Sequence, residues 1–450
     1  LTIPKTKPNM KEEATTLLTT QKEIFMKKHA LLVLCIVVVT TGMLFGAGTK
    51  EAAATGTAEK TVLEFWTWRP EDVDFYEGQI ARFEAANPDI DVVQTAHKNT
   101  EYNTILAASL SGGAGPDVFQ GRAYGGLATF ADSGFLEPLE QWMPELKNYS
   151  ETALLGATSP TDGKIYGSPA VSQTVFMYYN KDIYEELGLS IPKTWAQLIS
   201  NFEAAKKAGY IPLGNGAKDG WCLETMLGGM GPGWYGGTDF YNAVVKGEKN
   251  FLDPAFIRMV EEMKALSKYL PDMYMGISYE DMRSNFFNEM SPHLIAGSYE
   301  AAYFNAQNPD LNWGVFAVPG QRESDPAYVS VYADMNFAMN ANSKNKEAAV
   351  KFLKFLSSKE FGGAMVNELK MVSSVPGVDA TSEPFIARVL ELQQHATPYL
   401  FLVGFRYQQP TGSSLWQAAA QGVMAGTITP REAAKQIQDG IASYYEPFQK

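Results

Sequence analysis

Between residues 61 and 130 the chain switches repeatedly between the hydrophobic period of a strand and that of a helix. That alternation constrains the fold more than any other feature. "TVLEFW" (61–66) reads as a buried strand. In 71–86, Tyr76, Ile80 and Phe83 recur at i, i+4 and i+7 and give one apolar helical face. Glu71, Asp72 and Asp74 fall in the first turn, where negative charge suits the helix dipole. Asn87-Pro88 stops the helix. "DIDVVQ" (89–94) is a second strand, Tyr102–Leu110 a helix closed by Gly112-Gly113, and "DVF" (117–119) a third strand. The order βαβαβ predicts a mainly parallel sheet covered by helices, and so an α/β protein.

The sequence has 450 residues, beyond the roughly 250–300 at which a single core stops growing, so two domains or lobes are expected. Residues 170–179 form a long extended stretch, after which helices dominate. Thr194 caps a helix through Lys207 that ends at Gly209, and Asp253-Pro254 opens another through about Leu270. Between them, "GNGAKDGWCLETMLGGMGPGWYGG" (214–237) reads as glycine-rich loop carrying Trp221 and Trp234. Strands return at 312–319 and 334–341, and the helices "KEAAVKFLKFLSS" and "REAAKQIQDGIASYY" complete the chain.

Met26-Lys27-Lys28, the apolar run "ALLVLCIVVV" (30–39) and the small residues after it read as a secretory signal peptide over 26–48. Residues 1–25 read as a mis-called or non-native extension, and 49–60 as a flexible tether. The rival reading is an uncleaved anchor, weakened by Thr40, Thr41 and Gly42. Beyond residue 48 the only cysteine is Cys222, so no disulfide is expected within the mature chain. Removing the six lysines and three acids before residue 49 takes 37 basic and 50 acidic residues to 31 and 47, a net charge of −16. That balance argues against nucleic acid or an anionic membrane as the main partner.

Catalytic signatures are thin. The four histidines (His29, His97, His293, His395) show no metal-ligand spacing, and nucleophile-elbow and phosphate-loop motifs are absent. A carboxylate pair of the glycosidase kind is not excluded by counting. Tyr178-Tyr179 and Tyr444-Tyr445 raise a ferric reading, but the first pair continues a strand with one ring on each side, and the second ends an amphipathic helix. No metal or other cofactor is expected. The tryptophans are more informative. A sugar ring has apolar C–H faces and a rim of hydroxyls, so its site needs flat aromatic surface plus short polar groups. Trp142, Trp195, Trp313 and Trp416 sit at structural positions; Trp66, Trp68, Trp221 and Trp234 lie at a strand end or in glycine-rich sequence, where ligands are met. The strand pattern pulls Trp66 toward the core, leaving Trp68 as the better platform.

"VLEFWTW", "FEAANPDIDV", "GGAGPDVF", "GFLEPLEQW", "PKTWAQL", "WGVFAVPG" and "FAMNANSKNKEAAVKFLKFLSS" occur in an order, spread over 61–445, that resembles the extracellular solute-binding proteins of bacterial carbohydrate ABC transporters, the family of maltose-binding protein. The resemblance implies a two-lobed periplasmic-binding-protein fold with hinge strands and a ligand cleft between the lobes. It places one lobe at 59–169 plus 314–372 and the other at 170–313 plus 373–450. It implies a non-enzymatic, monomeric protein that delivers a sugar or oligosaccharide to permease subunits served by a separate ATPase. The same fold binding a polyamine or ferric ion is the alternative, and a secreted carbohydrate-active enzyme the rival of another class. By matched position, ligand contacts fall to Trp66, Thr67, Trp68, Gln120 and Gly121 at strand ends, and to Gln173 on the hinge. Trp221, Trp234 and Tyr299 would come from the second lobe, and Asp334 from the start of the returning strand. Arg406 is the last candidate, with pairing to a surface acid as its structural alternative. Many relatives carry a lipid-anchor cysteine where this chain has glycine and alanine, so the protein is expected free in the periplasm or held by an uncleaved segment.

Overall fold

A computed structural model describes residues 60–449; the expectations for the signal segment and nearly all of the tether lie outside the described residues. The first strands and helices follow the sequence pattern: β1 (Thr61–Thr67), α1 (Val73–Ala86), β2 (Ile90–Ala96), α2 (Asn99–Ser111), β3 (Val118–Arg122) and α3 (Gly125–Asp132). Tyr76, Ile80 and Phe83 are buried as the α1 periodicity predicts. Glu71 and Asp72 instead sit in a 3-10 turn before α1, where Arg69 Nε donates to Asp72 Oδ2 at 2.6 Å. Their charge serves an ion-pair cluster rather than the helix dipole.

The chain continues through β4 (Ser168–Pro169), the ten-residue β5 (Val171–Asn180), α4 (Trp195–Ala208) and α5 (Gly220–Met230). Thr194 caps α4 and Gly209 closes it at φ 95°, as expected. Sequence 214–237 departs from expectation, because α5 and a short turn of helix at Pro232–Tyr235 occupy what reads as loop. The glycines of α5 are there for close packing: a Cβ on Gly229 would lie 2.5 Å from Ile295 Cγ2, and one on Gly228 would lie 2.7 Å from the Tyr399 ring. Tertiary contact overrides the weak helix propensity of glycine.

Then follow α6 (Tyr279–Phe287), β6 (His293–Gly297), β7 (Trp313–Phe316), β8 (Val329–Ala333), β9 (Met335–Met339), α7 (Lys346–Leu356), β10 (Val372–Ser373), β11 (Ala396–Pro398), α8 (Gly412–Ala425) and α9 (Pro430–Ala442).

Two sheets organise these elements. The first runs β2-β1-β3-β9-β4, with β1, β2 and β3 parallel and β9 antiparallel to β3. In the second, β5 pairs antiparallel with β6, β7, β8 and β10, and β11 adds to β8. Each sheet has its own core, one around Phe65, Phe337 and Phe352 and another around Phe202, Phe256 and Trp416. The chain passes from sheet to sheet at Pro169–Val171, at Ala333–Met335 and before β10. Backbone hydrogen bonds tie these crossings together: Ala170 N–H donates to Met335 O at 2.8 Å, Ser374 N–H to Ala170 O at 2.9 Å, and Asp334 N–H to Val171 O at 3.2 Å. β7 and β8 belong to the second sheet, so the return to the first falls at Asp334 rather than at 314.

Candidate functional site

A cavity of about 310 Å³ lies between the two sheets and is walled by both. From the first come Trp68, Arg69 and Glu71 beyond the carboxyl end of β1, Arg122 at the end of β3, and Asn99, Thr100 and Asn103 in the first turns of α2. The second supplies Trp221, Glu224 and Thr225 of α5, together with Tyr279, Tyr299, Tyr332, Tyr399 and Arg406. Ser413 and Gln417 of α8 complete that wall, and Asp334 lies at the crossing itself.

Trp68 is held from several sides. Its backbone N–H donates to Gln120 Oε1 at 3.1 Å, the Arg122 guanidinium covers the ring at 3.9 Å, and Tyr102 tilts against it at 5.6 Å. Gln120 is buried and fully engaged: its Nε2 donates to the Tyr76 hydroxyl at 2.6 Å, and its carbonyl accepts from the Tyr102 hydroxyl at 2.6 Å. It positions Trp68 from behind the cavity wall.

On the facing wall, Trp221 meets Tyr279 edge-on at 4.6 Å, and the rings of Tyr332 and Tyr399 lie 5.2 Å apart. Glu224 accepts from the Ser413 hydroxyl at 2.7 Å and from Gln417 Nε2 at 2.8 Å; burial raises its pKa against those bonds. Six aromatic rings, from Trp68, Trp221, Tyr279, Tyr299, Tyr332 and Tyr399, therefore share one cavity with amides, hydroxyls and charged groups.

Charge bridges the lobes beside this cavity. Arg69 Nη2 donates to the Tyr299 carbonyl at 3.1 Å, and Arg283 Nη1 of α6 reaches Glu71 at 3.2 Å. Arg283 also pairs with Glu280 and lies 3.7 Å from Glu300. Glu300 is fully buried, and burial pushes its carboxyl up to about 7 against the pull of Arg283.

Of the expected contact residues, Trp68, Trp221, Tyr299, Asp334 and Arg406 line the cavity. The others lie outside its wall. Trp66 packs half-buried against His97 at 4.7 Å. Thr67 is buried and accepts from Gln94 Nε2 at 3.3 Å. A Cβ on Gly121 would meet Leu127 at 2.7 Å, so that glycine serves packing. Gln173 Oε1 accepts from the Ser298 hydroxyl at 2.7 Å, within the second sheet's hinge strand. Trp234 packs at right angles to Trp195, 5.4 Å away, on the second lobe's own core. The sequence reading missed Arg122, Glu224, Tyr279, Tyr332 and Tyr399. Arg122 was within reach, since it ends β3 two residues after Gln120. The tyrosines carry no local signal, because long-range pairing alone brings β8 and β11 beside α5.

This arrangement, two α/β lobes joined by bonded crossings around a cavity that both of them wall, defines a two-lobed solute-binding protein. Residues 69–362 match the model of the bacterial extracellular solute-binding proteins, and the chain belongs to that family. It is 24% identical over 344 residues to a multiple sugar-binding protein of Streptococcus mutans, covering 74% of this chain and 80% of that protein. It is 23% identical over 391 residues to the maltodextrin-binding protein MdxE of Bacillus subtilis, covering 83% and 88%. Among solved structures, a chitin oligosaccharide binding protein superposes with a TM-score of 0.74 at 22% identity, over 86% of this chain and 99% of that one. That likeness confirms the two-lobed fold. Among the described residues no helix is long and apolar enough to cross a membrane.

Proposed function

We propose that the protein binds a carbohydrate in the interlobe cavity outside the cytoplasmic membrane and delivers it, unaltered, to the permease of an ABC importer. The observation that carries this reading is the cavity wall: six aromatic rings interleaved with Asn103, Glu224, Asp334 and Arg406. Aromatic faces suit the C–H faces of a pyranose, and the polar groups between them suit its hydroxyl rim. The names of the relatives point the same way. In this reading the lobes are residues 60–169 with 334–371, and 170–333 with 372–449. Because the wall comes from both lobes, a bound sugar favours the closed arrangement by hinge motion about the crossings. The closed form is then what a permease recognises, and a monomer suffices for that task.

A thermal-shift screen over mono- and oligosaccharides, spermidine and ferric ion tests this, since a ligand that binds the native state raises the melting temperature. The expected result is a shift with at least one sugar, with the sugar recovered unchanged by chromatography. A shift with spermidine or ferric ion alone refutes the carbohydrate reading, and turnover of the sugar refutes delivery without chemistry.

A further inference from the structure

Four arginines stand at the cleft, and they divide by how their charge is met. Arg69 lies 2.6 Å from Asp72 and 3.7 Å from Glu71, and Arg283 is surrounded by Glu71, Glu280 and Glu300. Their acids hold both guanidiniums above the ordinary arginine range despite burial. The other two line the cavity, as Arg69 does, but with fewer acids beside them. Arg122 has Asp334 as its nearest carboxylate, at 3.8 Å, with Asn99 and the Trp68 ring as neutral neighbours. Arg406 makes no ion pair or side-chain hydrogen bond among the described residues, so pairing with a surface acid does not account for it. The two are neighbours: Arg122 Cβ and Arg406 Nη2 lie 2.6 and 3.8 Å from the point where a Cβ on Gly126 would sit. Burial, with the charge of Arg406 beside it, pushes Arg122 below the ordinary range, the opposite direction from Arg69 and Arg283.

The remaining acid of the cavity is Glu224. Glu224 accepts from Ser413 and Gln417, forms no ion pair with Arg406, and acts on that guanidinium only at longer range. The first turn of α2 adds positive potential, because Lys98 at its N-cap supplies no capping side chain and Asn99 and Thr100 line the cavity. Arginine also bonds neutral hydroxyls. A neutral ligand, however, would dry the site and leave the Arg406 guanidinium without a close counter-charge, which is costly.

We propose that the ligand is an acidic sugar, a carbohydrate bearing one carboxylate on a ring, with that uronate group seated between Arg122 and Arg406. The proposal rests on the carbohydrate reading and narrows it. A planar carboxylate fits a guanidinium fork with two parallel bonds, and it would supply the close counter-charge that Arg406 lacks. The aromatic walls then take the faces of the sugar rings.

Isothermal calorimetry on the full protein tests it with galacturonate and glucuronate di- and trisaccharides, each set against its neutral galactose or glucose counterpart. The expected result is binding of a uronate about tenfold or more tighter than its counterpart, an advantage that shrinks as salt is raised. Arg406→Gln removes most of that advantage. Neutral sugars binding as tightly as uronates overturn the acidic-sugar inference and leave the carbohydrate reading standing. A uronate preference that Arg406→Gln does not reduce overturns the assigned seat. Binding of neither class overturns both readings together. The wild-type ratio and its salt dependence decide the matter even if Arg406→Gln does not fold.

Discussion

Glu71→Gln and Arg283→Gln, made singly and together, test whether the charge bridge beside the cavity belongs to the closed state. Glu71 sits on the first lobe and Arg283 on the second, 3.2 Å apart, with side-chain exposures of 20% and 5%. At that distance and an effective dielectric of about 20 the bare attraction is about 5 kcal/mol. The carboxylate is partly solvated, and Arg283 has Glu280 and Glu300 as other partners, so the coupling is expected at about 1–2 kcal/mol. If the lobes separate when the ligand leaves, that energy is present only in the closed form and appears as a loss of affinity of about 5- to 30-fold. Glu71 also lines the cavity whereas Arg283 does not. A single variant therefore mixes a lost ligand contact with a lost bridge, and the double-mutant cycle separates them. Removing Arg283 leaves Glu300 without its partner, but a carboxyl already pushed up to about 7 takes a proton and limits the damage to the fold. Calorimetric titration of all four proteins with a sugar identified by the thermal-shift screen gives the coupling. A value indistinguishable from zero, with folded variants, refutes the argument that this pair spans parts that separate.

Trp68→Ala removes a ring only 2% exposed and stacked on Arg122, so it should cost about 3–5 kcal/mol of stability in denaturant melts and about 1–3 kcal/mol of ligand affinity. Trp66→Ala, outside the cavity wall, should lower stability alone; equal affinity losses for the two would contradict the geometry. Gly125→Ala places a Cβ 1.8 Å from the Arg406 carbonyl oxygen, and displacing that backbone should lower the melting temperature by the equivalent of about 1–3 kcal/mol or more. It should also weaken uronate binding, and an unchanged affinity would mean that Arg406 is not held through its backbone. Glu300 titrates near 7 in the fold, against an ordinary value of 4.5. The native state thus holds the extra proton between those values, and this group's contribution to stability falls as pH rises from 4.5 to 7. His293, lowered by burial to about 4, acts in the opposite sense, and its contribution is lost as pH falls from 6.5 toward 4. The melting temperature of Glu300→Gln minus that of the wild type should therefore climb between pH 4.5 and 7, and a flat difference would show that Glu300 is not buried in this way.

The parallel part of the first sheet was legible because its determinants are local. β1, α1, β2, α2 and β3 follow in order, each with its own period, and β1 pairs in parallel with both β2 and β3. The second lobe resisted because β5 draws partners from 293–297, 313–316, 329–333 and 372–373, which no local pattern announces. The glycine-rich stretch misled for a related reason. Glycine lowers helix propensity, yet at Gly228 and Gly229 it is what lets α5 approach Tyr399 and Ile295. Strand ends pointed to the cavity but did not separate its wall from the residues behind it. Trp68 reaches the cavity, while Thr67 and Gln120, beside it in sequence or space, spend their polar atoms on holding the strand ends in place.

Asp334 shows why the crossing belongs to the site as well as to the hinge. Its N–H donates to Val171 O at 3.2 Å and its carbonyl accepts from Ala123 N–H at 3.0 Å, so its backbone is bonded both to the first residue of β5 and to the chain just after β3. Its side chain faces the cavity and is the nearest acid to Arg122. In the proposed hinge motion, a ligand bonded to that carboxylate, or drawing Arg122 away from it, would act on the crossing between the sheets. Trp68 and Arg122 on one side and Trp221, Tyr299 and Arg406 on the other would then be recruited by closure itself. Affinity and closure become one equilibrium, in which contacts on one lobe alone could bind a sugar but could not shut the cleft around it.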